Sequence, residues 1–142
     1  MDEEFIDELS EQQRITFVRA LFFMIKADSR VDDAERSFMH DVIKMYGLVN
    51  KLDVLTQPIS QDIILQEIST NIQDRRTSLY LLRELLLVAG IDDDMEDKEA
   101  GFIEEVATVL KIEDEKVLAI NELLLDRKIW LRKLATVMED EE

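Results

Sequence analysis

Two short acidic segments contain the residues of this chain whose types and spacing suit ligand binding. One runs from Asp28 to Glu35, and the other runs from Asp92 to Glu99. Carboxylate oxygens are the ligands that hard cations such as Ca²⁺ and Mg²⁺ prefer. The candidate ligands of a divalent cation are therefore Asp28, Asp32, Glu35, Asp92, Asp93, Glu96 and Glu99.

These carboxylates also have a purely structural explanation. Acidic side chains stabilise the first turn of a helix, and Asp32 followed by Glu35 has the spacing of a capping box. The segments are not EF-hand loops, because a loop that began at Asp92 would have Ile103 where the motif requires glutamate. The residue types alone leave open whether the segments bind a cation or only cap helices.

Each acidic segment lies between two helical patterns. The stretch from Leu79 to Ile91 contains only two charged residues, which predicts a helix at the centre of a core. Ser10 and Gln13 form a second capping box, which predicts an equivalent helix that begins there and runs to about Ala27. Asp32 predicts the start of a further helix that ends at Gly47.

Shifting the sequence by 64 residues aligns the first acidic segment and its flanking helical patterns with the second. It places Leu21 on Leu85 and Asp28 on Asp92, so apolar and acidic positions coincide together. This coincidence predicts two related helix-loop-helix units, in residues 17–48 and 81–112, inside one domain that covers residues 1–142.

Composition favours an all-α domain. Hydrophobic residues make up 46% of the chain, whereas Gly (3) and Pro (1) are scarce and no cysteine is present. Apolar residues recur at helical spacing, which predicts a single bundle of seven or eight helices. A helix is also expected after Ser60, and two more over Val117–Leu125 and Ile129–Met138. Asp74 or a nearby Ser or Thr is expected to begin the second central helix.

The net charge of −16 limits the classes of partner. Nucleic acid is not expected, because Lys and Arg must neutralise its phosphates. An acidic surface instead favours divalent cations or a basic protein partner. The acidic start of the sequence has no signal-peptide pattern, so a cytoplasmic location is expected.

Two other features of the sequence are candidates for function. The single histidine, His40, is expected to be a half-exposed surface residue and only secondarily a metal ligand. Basic residues surround Trp130. The favoured interpretation is a core tryptophan whose neighbouring cations pair with carboxylates of this acidic chain, and contact with an anionic membrane or an acidic partner is less favoured. The sequence contains no nucleophile–base pattern, phosphate-binding loop or zinc motif, so an enzyme is not expected.

The residues 27–35, which read ADSRVDDAE after an apolar helix, together with residues 92–99, resemble the TerB-like family of tellurite-resistance proteins. The resemblance implies an all-helical, cytoplasmic, non-enzymatic domain with an internal repeat and an acidic surface that binds divalent metal. It matches Asp28 and Glu35 to the family's loop aspartate and helix glutamate, and it matches Asp92 and Glu99 in the second copy. The family usually has glycine where this chain has Ser29 and Asp93.

The sequence thus predicts a non-catalytic, TerB-like stress-response module whose acidic loops bind a divalent cation such as Ca²⁺ or Mg²⁺. The alternative is a protein-interaction module whose acidic surface docks a basic partner without metal.

Overall fold

The regular elements of the chain are helices. The computed structural model describes residues 4–26, 32–90 and 97–139, and no strand occurs in those ranges. The eight α-helices found there are α1 (Glu4–Glu8), α2 (Glu11–Ile25), α3 (Asp33–Met45), α4 (Leu52–Leu55), α5 (Gln61–Asn71), α6 (Arg75–Ala89), α7 (Asp97–Val109) and α8 (Asp114–Glu139). The predicted all-α, single-domain bundle of seven or eight helices is confirmed.

The predicted helix starts follow from local capping. The hydroxyl of Ser10 accepts a hydrogen bond from the backbone N–H of Gln13, whose side chain accepts one in return from the N–H of Ser10. The hydroxyl of Ser60 caps α5 by accepting a hydrogen bond from the backbone N–H of Ile63. Asp74 caps α6, and the backbone and hydroxyl of Thr77 both donate to its carboxylate, which lowers the pKa of Asp74. Each cap satisfies an N–H that the first turn of a helix leaves unpaired.

Helices α2 and α6 lie at the centre of the core. Phe17 and Leu21 of α2 and Leu81 and Leu85 of α6 are fully or almost fully buried, and no residue between 78 and 90 is exposed. α2 packs against α3, α4, α5, α6 and α7, while α6 packs against α2, α7 and α8. The prediction that the two apolar stretches are central helices is therefore confirmed.

A buried polar cluster fixes α5 against α2. Thr16 is fully buried, and its hydroxyl donates to a carboxylate oxygen of Glu67 at 3.0 Å. The side-chain amide of Asn71 donates to the same hydroxyl at 2.9 Å, and Arg19 pairs with Glu67 at 3.3 Å. Because the buried hydroxyl of Thr16 both donates and accepts, a shift of α5 along α2 would leave it unpaired.

The helix bounds are consistent with the predicted duplication. α2 and α6 each have 15 residues, α3 and α7 each have 13, and both pairs begin 64 residues apart (75 − 11 and 97 − 33). α3 and α7 end in the same way, with a left-handed residue at Gly47 (φ 67°) and at Lys111 (φ 58°). The internal repeat itself stays a prediction that these equal bounds support.

The C-terminal region differs from the prediction in two respects. A single helix, α8, replaces the two helices expected over residues 117–125 and 129–138. The intervening residues are Asp126, Arg127 and Lys128, which include no glycine or proline and give the helix no reason to end. Trp130 was expected in the core, yet 59% of it is exposed.

The left-handed residue that follows α7 generates a stability prediction. A non-glycine side chain in that conformation is strained, so Lys111→Gly is expected to raise the free energy of unfolding by about 0.5–1 kcal/mol after the backbone entropy of glycine is subtracted. The matched change Gly47→Ala is expected to lower it by about 1–2 kcal/mol, since its Cβ would also lie 3.3 Å from Nη1 of Arg14. Urea denaturation measures both. Equal effects of the two substitutions on the free energy of unfolding would contradict the left-handed conformation of these two residues.

Candidate functional site

The first acidic segment contributes two described candidates, Asp32 and Glu35. Asp32 is the N-cap of α3, and its Oδ1 accepts a hydrogen bond from the backbone N–H of Glu35 at 2.7 Å. In return, Oε1 of Glu35 accepts from the N–H of Asp32 at 3.2 Å. The predicted capping box is therefore confirmed, and each carboxylate has one oxygen engaged in it. Asp28 lies outside the described residues.

The second acidic segment contributes one described candidate, Glu99, which lies partly buried in the first turns of α7. Asp92, Asp93 and Glu96 lie outside the described residues. Over residues 4–26, 32–90 and 97–139, no group of three or more His, Asp or Glu side chains has the arrangement of a metal site. His40 is exposed on α3.

The helix ends that flank the two acidic segments meet in the fold. Phe23 lies near the end of α2, just before the first segment, and Phe102 lies near the start of α7, just after the second. Their ring centroids are 4.9 Å apart. One aromatic contact thus joins the borders of both segments at the same end of the bundle.

The other candidate surface lies along α8. One stripe of partly buried residues, Val117, Ile120, Leu124 and Lys128, faces the bundle, and then the stripe ends. Every residue from 129 to 139 is exposed, although several are large and apolar. The exposed apolar residues beyond Lys128 are Ile129, Trp130, Leu131, Leu134, Val137 and Met138.

The contacts between α6 and α8 explain why the stripe ends there. The guanidinium of Arg75, at the start of α6, donates to the carboxylate of Glu113 at 2.8 Å. At the other end, Nζ of Lys128 donates to the carbonyl of Gly90, the C-cap of α6, at 2.6 Å. The two helices therefore run parallel, and α8 continues for about three turns after α6 has ended.

A groove of about 570 Å³ lies between these helices; we call it the α6/α8 groove. Its apolar lining comes from Leu79 and Tyr80 on α6 and from Ile120, Leu123 and Leu124 on α8. This apolar wall continues directly into the exposed part of α8, because Trp130 and Leu134 follow Leu123 at helical spacing.

Four cations surround the α6/α8 groove, which is unusual in so acidic a chain. They are Arg75, Arg76, Arg83 and Lys116. The guanidinium of Arg83 lies over the rings of Phe5 and Tyr80, at 4.9 and 5.0 Å. A hydrogen bond with Glu113 raises the pKa of Arg75, and one with the Tyr80 hydroxyl raises that of Arg76, so both remain charged. Three of these cations also form ion pairs, Arg75 with Glu113, Arg76 with Glu8 and Arg83 with Glu84, so most of the positive charge at the groove is already neutralised and its main feature is the apolar lining.

Sequence reasoning singled out the basic residues around Trp130 but favoured a core position for the tryptophan, for an identifiable reason. The spacing of Ile120, Leu123, Trp130, Leu134 and Val137 was visible, but the same spacing describes a helix face that packs in the core. The available signal was the number of cations beside Trp130, which would be costly to bury together.

Comparison with protein-family models, with curated proteins and with solved structures finds no match to this chain. Within the described ranges, no helix is both long and apolar enough to span a membrane. The site must therefore be interpreted from its own geometry.

The capping role of Asp32 leads to a prediction that separates the hydrogen bond made by its side chain from the effect of its negative charge. Asparagine caps helices about as well as aspartate, so Asp32→Asn is expected to leave the stability nearly unchanged, whereas Asp32→Ala is expected to lower the free energy of unfolding by about 1 kcal/mol. Asp33→Ala, one residue later and exposed, is the control. Chemical denaturation provides the measurement, and an Asn variant as unstable as the Ala variant would contradict a purely hydrogen-bonding role.

Proposed function

We propose that this chain is a non-catalytic protein-interaction module and that its partner binds along α8. The observation that carries the proposal is the end of the packing stripe at Lys128, beyond which every residue to Glu139 is exposed. Trp130 (59%) and Val137 (60%) are among the apolar side chains left in water there.

The energetics of an uncovered helix support this proposal. Short helices are marginal in water, and most helical stability in proteins comes from packing an apolar face. A contiguous apolar patch with a charged border is typical of an interaction site on a soluble protein, and Trp and Arg are frequent at the centre of such interfaces. A protein partner that covers Trp130 would supply the missing packing.

The chemistry of α8 favours the partner that the sequence made the less favoured one. A basic partner was expected at the acidic segments, whereas the α6/α8 groove is mainly apolar and residues 127–133 of α8 include four cations around Trp130. An apolar partner surface with acidic neighbours is therefore proposed for α8.

Photocrosslinking in the native cell tests the proposal. A photoreactive amino acid at position 130 or 134 is expected to give discrete protein adducts, because both side chains would lie inside the interface. The same residue at position 118 is the control, since Leu118 is also exposed on α8 but faces away from the groove. Absence of adducts at positions 130 and 134, or an identical adduct pattern at 118, would contradict the proposal.

A second candidate function is the TerB-like one, in which the acidic segments bind a divalent cation as part of a cytoplasmic stress response. The contact between Phe23 and Phe102 favours it, because that contact brings the borders of both segments to one end of the bundle. Carboxylates from two segments at one end would repel one another unless a cation neutralised them.

Titration calorimetry with Ca²⁺ and with Mg²⁺ at physiological salt tests this candidate. Saturable heat is expected, and Asp92→Asn or Glu99→Gln is expected to reduce the affinity by removing a ligand charge. Asp62→Asn on α5 is the control, since it removes the same charge elsewhere. A flat titration, or an equal loss in the control, would remove the cation candidate without affecting the α8 proposal.

A further inference from the structure

We infer that the partner covering α8 is a second copy of this chain, bound through an antiparallel pairing of the two α8 helices. The inference rests on the proposed function, namely that α8 is an interaction surface. The second copy is identified as the partner from the spacing and the charge of the residues along α8 and from the shape of the α6/α8 groove.

The spacing along α8 is that of a helix-pairing surface. Residues that alternate at intervals of three and four form one line, which we call the α8 seam: Ile120, Leu123, Arg127, Trp130, Leu134 and Val137. Such alternation keeps a line of side chains facing a second helix over several turns. Leu118, Leu125 and Ile129 lie on the opposite face, where two charged residues, Glu122 and Arg132, interrupt the line, whereas the α8 seam contains one, Arg127.

The distribution of charge along α8 selects the antiparallel orientation. From 114 to 126 the charged residues are Asp114, Glu115, Lys116, Glu122 and Asp126, whereas from 127 to 138 they are Arg127, Lys128, Arg132 and Lys133. Parallel helices would place like charges together along the whole pairing. Antiparallel helices, in the register given below, place Glu122 and Asp126 of each copy level with residues 131–135 of the other, which include Arg132 and Lys133.

One antiparallel register matches every residue of the α8 seam. It pairs Ile120 with Val137, Leu123 with Leu134, and Arg127 with Trp130 of the second copy, and the two-fold axis repeats each pair. The first two pairs are apolar, and the third places a guanidinium against an indole, a favourable cation–π arrangement. A C₂ interface of this kind is self-complementary by construction.

A flanking charge pair fits the same register. Asp126 and Lys133 lie on the same side of the α8 seam, so the antiparallel arrangement places Asp126 of each copy beside Lys133 of the other. In a parallel pairing these two residues would not be neighbours. This pair therefore distinguishes the two orientations.

The α6/α8 groove accommodates the uncovered end of the second copy. In this register, Val137 of the second copy lies beside Ile120, and its exposed Glu139 points along the groove towards Lys116.

Repulsion between two copies that each carry a charge of −16 does not prevent this pairing at physiological salt. Exposed charges separated by more than about 8 Å are largely screened there. The opposite charges beside the α8 seam lie within that distance, so the local attraction is retained while most of the overall repulsion is lost.

Light scattering on the purified full chain tests the inference. A mass of twice 16.6 kDa is expected at micromolar to millimolar concentration. Leu134→Glu is expected to raise the dissociation constant by about 30-fold or more, as for a central interface residue. Leu118→Glu makes the same chemical change on the opposite face and is expected to remain dimeric. Both residues are exposed, so circular dichroism should show an unchanged helix content.

A charge exchange tests the orientation. Asp126→Lys alone and Lys133→Asp alone are each expected to weaken dimerisation, and the double variant is expected to restore it. A double variant weaker than both single variants would overturn the antiparallel register. Wild-type protein that stays monomeric at millimolar concentration would overturn the dimer. Binding of the monomer to anionic vesicles through Trp130 would overturn it as well.

The crosslinking described above keeps this inference separate from the proposed function. Adducts at position 130 with the mass of two copies support both the interaction module and the second copy as its partner. Adducts only with a different protein overturn the second copy as the occupant and leave the interaction module standing.

Discussion

The difference in length between α6 and α8 leaves the last turns of α8 without a covering helix. α8 has 26 residues, whereas α6, the helix on which it packs, has 15. The hydrogen bond from Lys128 to Gly90 marks where the shorter helix ends. A helix buries its apolar face only where another element covers it, so the remaining turns of α8 keep theirs in water.

The centre of the bundle, in contrast, is buried and closely packed. α2 and α6 are surrounded by other helices, and buried residues such as Phe17 and Leu85 are closely packed. The buried hydroxyl of Thr16, with Glu67 and Asn71, adds directional contacts that fix the position of α5. A rigid core of this kind can hold α8 in place along Val117–Lys128 and present the following residues to a partner.

The sequence predicted those features that depend on neighbouring residues. Ser10, Asp32, Ser60 and Asp74 cap helices through residues three positions later, and such patterns are local. The location of Trp130 depends instead on which face of α8 packs on the bundle, which no local pattern encodes: Trp130 lies on the face of Leu123, which is 69% exposed beside α6. The same applies to the α6/α8 groove, because its walls come from helices that are distant in the sequence. Of the candidate cation ligands, only Asp32, Glu35 and Glu99 lie in the described part, and the cation hypothesis stays a prediction.

Hydrogen exchange along α8, measured in dilute and in concentrated solution, tests the central claim most directly. Amides before Lys128 should be protected at both concentrations, because α6 covers that part of the helix. Amides from 129 to 138 should exchange rapidly in dilute protein and slowly in concentrated protein, as a second copy covers them. Equal protection of both regions in the dilute monomer, or no protection after residue 128 at any concentration, would contradict the account.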